Sequence, residues 1–233
     1  MNRMMLRRRV LMASLMNSGL PLSDLPEGSL VAINESGSPV LFYLAKHDYE
    51  SGLNGAGRTL FVRKDCYDER KWNSNNANAY ASSTIDSWLN GDYKSLLSSK
   101  VQSEIGTIKF YSTIGNGDYT VTTLERSIFM LSVTELGLSK TGAKVEGTAL
   151  AIASTLRIAY KDGSAIEYWT RTPYSTNSTF AFYINTSGKT YSTNVIDGNG
   201  HPFLKGSRPC FTLPSTATVN QQPNADGSYT LTI

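Results

Sequence analysis

The stretch that most constrains the fold is Tyr168 to Pro214, which opens on Tyr-Trp-Thr-Arg-Thr-Pro and closes on Ser-Arg-Pro-Cys-Phe-Thr-Leu-Pro. Both ends are apolar and aromatic and are bounded by Pro and Gly, the pattern of buried strands. The interval between them is rich in Asn, Ser, Thr, Gly and Tyr and reads as hairpins and loops facing water. Within it, Phe180–Ile184 and Lys189–Ser192 form a hairpin around Asn185-Thr186-Ser187-Gly188, Asn194 to Pro202 is a polar loop, and Arg208–Leu213 is the last core strand. The chain must therefore carry a polar surface on a rigid, buried frame.

A chain of 233 residues can bury a core as one large domain or two small ones. The expected organisation is an N-terminal arm and linker over residues 1–28, a single domain over 29–220 and a C-terminal tail over 221–233. Arg3, Arg7, Arg8 and Arg9 supply four of the 22 basic residues, which leaves 18 against 19 acidic ones in the rest of the chain. A nearly neutral body offers no basic groove, so nucleic acid is not an expected partner. The apolar run Val10–Met16 is at the lower length limit for a signal peptide and far too short to span a bilayer. With Met4, Leu6, Val10, Leu11 and Leu15 on one stripe, residues 1–20 read as an amphipathic arm that docks on a partner or on sister subunits, with a solvated, frayed terminus as the alternative.

Along the body, Leu30–Ile33 and Val40–Leu44 form a hairpin across Asn34–Pro39, and Thr59–Lys64 is a further strand. Two strands follow at Ile108–Tyr111 and Ser127–Ser132, with a long surface loop between them that contains Gly115-Asn116-Gly117-Asp118. Ala149–Tyr160 is a helix candidate. Ser83 is placed to cap a helix that carries Ile85, Trp88 and Leu89 on one face, with Asn90-Gly91 as its stop and a second short helix from Tyr93. These expectations add up to an α+β fold of antiparallel hairpins with one or two short helices and long surface loops.

Three ordered motifs carry a resemblance. The first is Trp72, Ser74, Asn75, Asn78, Tyr80, Ser83, Ile85, Trp88, Leu89 and Asn90; the second Trp169, Arg171 and Pro173; the third Gly206, Arg208, Pro209 and Pro214. Together they resemble a domain family of tail, fibre and surface proteins of phages and prophages from gut bacteria, over about residues 30 to 220. The resemblance implies a C-type-lectin-like scaffold, a place on the virion with other virion proteins met through residues 1–20, binding of a bacterial surface glycan or protein, and, as in phage fibres, a homotrimer. The Glu-Pro-Asn or Gln-Pro-Asp loop and the Trp-Asn-Asp strand of calcium-dependent lectins do not occur here; Gln222-Pro223-Asn224 is the nearest match and lies in the C-terminal segment.

The residues themselves argue for binding rather than catalysis. Gly52 to Gly57 lacks the Gly-Lys-Ser/Thr and strand-then-helix setting of a phosphate loop, and no Gly-x-Ser-x-Gly occurs. His47, beside Asp48 and Glu50, is far in sequence from His201, and with Cys66 and Cys210 at unrelated spacings they compose no zinc site. The two cysteines read as buried thiols, with one long-range disulfide as the alternative. No metal or cofactor is implied. Tyr supplies contact area at low entropic cost and Asn adaptable hydrogen bonds, so Tyr174, Asn177, Tyr183, Asn185, Tyr191, Asn194, Asp197 and Asn199 are the expected ligand contacts. Trp72, Trp88, Trp169, Arg171 and Arg208 are the expected frame, the arginines bracing loop carbonyls or carboxylates. The readings that follow are a phage or prophage tail-tip receptor binder, a structural head-fibre, decoration or tail-assembly protein anchored by its arm, and a secreted or surface-held bacterial lectin.

Overall fold

A computed structural model describes residues 19–233, so the arm expected over residues 1–20 lies outside the described residues except for Gly19 and Leu20. With strands numbered in chain order, the larger sheet has six. β2 (Leu30–Glu35) and β3 (Ser38–Lys46) form the expected hairpin, closed by a tighter turn in which Ser36 and Gly37 have φ of 53° and 80°. That two-residue left-handed turn matches the twist of the strands it joins. β3 pairs with β4 (Arg58–Arg63), β4 with β15 (Cys210–Pro214) and β15 with β8 (Ile128–Phe129), all antiparallel. The far edge of β2 is covered by β17 (Tyr229–Thr230), in parallel. Residues 221–233 are thus no free tail: Tyr229, Leu231 and Ile233 pack against the core, and Val219 bridges Leu231.

The second sheet runs β13 (Thr190–Asn194), β12 (Phe180–Ile184), β11 (Tyr168–Pro173), β14 (Leu204–Gly206) and β5 (Glu69–Lys71). Three two-stranded units complete the fold: β1 (Leu20–Pro21) with β16 (Thr218–Val219), β6 (Ile108–Gly115) with β7 (Asp118–Arg126), and β9 (Ala159–Lys161) with β10 (Ser164–Ile166). One continuous cluster of buried side chains joins both large sheets. Trp72 packs edge-on against Trp169 at 5.8 Å between ring centroids, while Phe110 and Phe129 stack at 4.5 Å. Each such ring, fully buried, contributes about 1.5–3 kcal/mol relative to exposure. The architecture is α+β, mostly antiparallel sheet with a few short helices.

The helices are α1 (Ser51–Asn54), α2 (Thr84–Trp88), α3 (Lys94–Leu96), α4 (Ser99–Glu104) and α5 (Ala153–Leu156). Ser83 caps α2 as expected, its hydroxyl accepting the Asp86 N–H at 3.2 Å. Asn90-Gly91 does not stop the helix. A π turn over Leu89–Tyr93 carries it into α3, because the Asn90 side chain is engaged with β8: Nδ2 donates to the Ile128 carbonyl at 2.8 Å and Oδ1 accepts the Ile128 N–H at 3.0 Å. The helix expected over Ala149–Tyr160 shrinks to α5, and its last residues turn into β9.

The loop expected between residues 111 and 127 is instead the β6–β7 hairpin. Asn116 and Gly117, at φ 54° and 89°, make its turn, and a residue larger than Gly at 115 would meet the Asn78–Ala79 backbone at under 3 Å. Asn78 locks this turn to the second sheet. It is fully buried; its Nδ2 donates to the carbonyls of Asn177 at 2.8 Å and Phe180 at 2.7 Å, and its Oδ1 accepts the Asn116 N–H at 2.7 Å. Replacing Asn78 with Ala strands those buried groups. Urea unfolding of Asn78→Ala is therefore expected to show a loss of about 3 kcal/mol, and a loss under about 1 kcal/mol contradicts this role.

Candidate functional site

The tryptophan and arginine residues of the three motifs are inside the protein. Arg171, on the fully buried β11, donates from Nη1 to Glu135 Oε2 at 2.6 Å and the Met130 carbonyl at 2.8 Å, and from Nε to the Tyr111 carbonyl at 3.1 Å. Its guanidinium lies 4.7 Å from the Phe110 ring centroid. Burial works against its charge, but the Glu135 carboxylate outweighs that and holds it firmly protonated. Glu135 also accepts the Tyr49 hydroxyl and the Ser132 N–H, so its oxygens are committed. Nearby Glu146 is fully buried, accepts the Thr113 N–H at 2.6 Å and the Thr172 hydroxyl, and has its carboxyl pushed up by burial. Glu135 and Glu146 are both closed to solvent, and Arg171 with Glu135 forms a fully buried ion pair.

Arg208 donates to three backbone carbonyls: Nε to Arg63 at 2.8 Å, Nη2 to Lys64 at 2.8 Å, and Nη1 to Leu156. Trp169 Nε1 donates to the Arg70 carbonyl at 2.9 Å, and Trp88 is covered by the Arg70 guanidinium at 3.7 Å. His47 pins the entry segment, its Nε2 facing the Leu25 carbonyl at 2.8 Å, and His201 pairs with Asp197 in an exposed loop. Cys66 and Cys210 are buried free thiols; burial pushes Cys66 up to about 11 and Cys210 higher still, so neither is a ready nucleophile. Among the described residues no group of three His, Cys, Asp or Glu side chains could hold a metal ion.

The expected ligand contacts divide into three kinds. Tyr174 is half-buried and committed to packing: it stacks on Phe182 at 5.4 Å, and a side chain at Gly142 would collide with its ring. The Asn and Asp residues are largely occupied in shaping their own loops. Asn177 Oδ1 accepts the Thr179 N–H at 2.8 Å, Asn185 Oδ1 that of Lys189 at 2.9 Å, Asn194 Oδ1 that of Ile196 at 3.4 Å, and Asp197 Oδ1 those of Asn199 and His201, both at 2.8 Å. Such side-chain turns rigidify a polar loop. Among the described residues no hydrogen bond engages the side-chain amide nitrogens of Asn177, Asn185 and Asn194, and the Asn199 side chain is exposed.

Tyr183 and Tyr191 are the third kind. They face each other across β12 and β13, stack at 6.1 Å, and leave Tyr191 43% exposed. Trp169, opposite Tyr183 on β11, packs edge-on beside it at 6.2 Å. Lys205 Nζ lies 3.8 Å from the Tyr183 ring centroid and 2.6 Å from Glu167 Oε2, and Lys140 Nζ lies 5.5 Å from the Tyr191 ring. Sequence reasoning missed Lys205, Glu167 and Lys140. The alternation Leu204-Lys205-Gly206 beside a strand was the available signal for Lys205, but its meeting with Tyr183 depends on β14 pairing with β11, which no local pattern reveals. At the other end of the sheet a groove of about 470 Å³ lies between β5 and α2, lined by Arg70, Lys71, Ile85, Trp88, Pro202 and Leu204.

Residues 56–215 match the model of a family described as a domain of unknown function, DUF6273. The chain belongs to this family. No curated protein and no solved structure matches it. The DUF6273 segment holds β4 through β15, and so the Arg171 junction, the Arg208 junction and the tyrosine pair. It leaves out β2 and β3, although β3 pairs along β4. The family segment therefore supplies β4, β15 and β8, one half of the six-stranded sheet, and the first hairpin with β17 supplies the other half.

Asp86 offers a test of the electrostatics around α2. Its carboxylate meets Arg126 Nε at 2.7 Å, yet burial dominates and pushes its pKa up to about 6. A carboxyl raised by folding stabilises the protein while protonated and loses that contribution as pH rises through the folded value. The unfolding free energy of the wild type, measured relative to Asp86→Asn, is expected to fall between about pH 4 and pH 6 by on the order of 2 kcal/mol. A constant difference across that window contradicts the assignment.

Proposed function

We propose that the protein is a recognition module of a phage or prophage virion, positioned at a tail or fibre tip, and that the β12–β13 face binds a bacterial surface glycan. The observation that carries this reading is the Tyr183–Tyr191 stack, an exposed aromatic surface braced by Trp169 and ringed by Lys205, Glu167 and Lys140. A sugar ring presents apolar C–H faces that stack on such tyrosines and hydroxyls that meet the surrounding donors and acceptors. The unengaged amides of Asn177, Asn185 and Asn194 extend the donor set along the loops, and their Asx turns pre-organise it, which lowers the entropic cost of binding. The bracing of the site by buried Trp and Arg fits recognition loops on a fixed scaffold.

The scaffold is read as C-type-lectin-like on the strength of the three ordered motifs, and the placement on a virion rests on the same resemblance. Among the described residues no helix is long and apolar enough to cross a membrane. An array of bacterial surface polysaccharides, probed with wild type and with Tyr191→Ala and Tyr183→Ala, tests the reading. Each substitution is expected to weaken binding by about tenfold or more while the unfolding free energy of Tyr191→Ala stays within about 0.5 kcal/mol of wild type. Binding unaltered by both substitutions, or the absence of any glycan ligand, overturns it.

A further inference from the structure

We infer, on the strength of the recognition reading above, that the glycan bound by the β12–β13 face is anionic and that Lys140 selects it by taking a carboxylate or phosphate beside the Tyr191 ring. Two lysines approach the tyrosine pair, and they differ in what they already hold. Lys205 is buried; its Nζ meets Glu167 Oε2 at 2.6 Å and lies 3.8 Å from the Tyr183 ring centroid, so its charge is compensated within the protein. Lys140 is exposed, its Nζ stands 5.5 Å from the Tyr191 ring centroid, and it takes part in none of the ion pairs among the described residues. Its position is set by the backbone. The Lys140 carbonyl accepts the Ala143 N–H at 2.9 Å in a turn, and the Gly142 carbonyl accepts the Ser175 N–H at 2.7 Å. Gly142 lies against the Tyr174 ring, which stacks on Phe182 of β12. The turn that carries Lys140 is thus fastened to the hairpin that carries the two tyrosines.

The chain around the tyrosines presents donors and keeps its acceptors for itself. No Asp or Glu occurs from Tyr168 to Ile196 or from Leu136 to Val145, whereas Lys140, Lys144 and Lys189 in those segments are all exposed. Against a body with nearly equal numbers of acidic and basic residues, this is a local excess of positive charge. The amides point the same way. Asn185, two residues from Tyr183 at the hairpin turn, uses Oδ1 to accept the Ser187 N–H at 3.1 Å and the Lys189 N–H at 2.9 Å. Asn177 Oδ1 likewise accepts the N–H and hydroxyl of Thr179 at 2.8 Å and 2.7 Å. With both oxygens committed, what these side chains retain is the NH2 group, a donor only. An ammonium and free amide donors, with Glu167 already paired, complement a ligand rich in acceptors, and a charged acceptor makes the shorter and stronger hydrogen bond. A neutral sugar satisfies the tyrosine stack but gives Lys140 no partner. A uronic-acid carboxylate and a phosphodiester both supply one.

The test uses the full chain on the array of bacterial surface polysaccharides, extended with polygalacturonate, its carboxyl-reduced form and poly(glycerol phosphate). Every polysaccharide that the wild type binds is expected to carry carboxylate or phosphate. Carboxyl reduction of a bound polysaccharide abolishes binding where a carboxylate is the source of charge and leaves it intact where a phosphodiester is. Lys140→Gln is expected to weaken binding by about fivefold or more and Lys140→Arg to keep it within about twofold of wild type. Raising sodium chloride from about 0.05 M to about 0.5 M is expected to weaken the wild type more than Lys140→Gln. Because Lys140 is exposed, the unfolding curves of both variants are expected to overlay that of the wild type. A neutral glycan whose binding is lost in Tyr191→Ala and kept in Lys140→Gln overturns the inference and leaves the recognition reading standing. Anionic binding unaltered in Lys140→Gln does the same, and the absence of any bound glycan overturns both.

Discussion

A fully buried guanidinium holds the two sheets of this protein together. Arg171 sits at the middle of β11 and ties that strand to β6 through the Tyr111 carbonyl, to the segment before β9 through Met130, and to Glu135. Glu135 in turn accepts the hydroxyl of Tyr49, whose ring stacks on Phe129 of the six-stranded sheet. The charges cost several kcal/mol each to desolvate, and their mutual attraction with the surrounding hydrogen bonds offsets that cost only while the geometry is complete; removing one partner of such a pair costs about 3–5 kcal/mol. Arg208 does the equivalent for the end of β4 at residues 63–64 and the end of α5 at Leu156, with carbonyls in place of a carboxylate. These arginines substitute for regular secondary structure along a segment, residues 130–158, that has almost none. The DUF6273 match covers Arg171, Glu135 and Arg208 with their backbone partners, while Tyr49 lies outside it.

Local chemistry was legible where turn residues and apolar strands coincide. The β2–β3 and β12–β13 hairpins and the Ser83 cap each follow from a few neighbouring residues. The β6–β7 hairpin was not legible, although Asn116-Gly117 is a strong turn signal, because Asp118–Arg126 is an exposed edge strand and shows no apolar alternation. Asn90-Gly91 looked like a helix stop because the partner that engages Asn90, Ile128, is distant in sequence. The same distance hid the role of Asn78 and the pairing of Tyr229 with Val31. In each case a tertiary contact overrode a local preference.

The candidate site was half legible. Composition pointed to the polar loops, and the structure leaves Tyr183 and Tyr191 together at the surface with Asn177 and Asn185 in the flanking loops and Asn194 at the end of β13. It packs a half-buried Tyr174 against Phe182 and uses the Asn and Asp side chains first to build their own turns. The additions, Lys205, Glu167 and Lys140, come from elements that only the sheet order brings beside the tyrosines. A rigid frame beneath and self-braced loops above are what a recognition surface needs to bind without a large ordering cost.

The most direct measurement of this division between frame and recognition surface is amide hydrogen exchange in the presence of a polysaccharide from the bacterial envelope. The account predicts added protection confined to residues 177–194 and the neighbourhood of Lys140 and Lys205, with exchange along β11, β15 and the Arg171 junction slow and unchanged. Protection centred on the groove between β5 and α2, or on no part of the β12–β13 face, would contradict it.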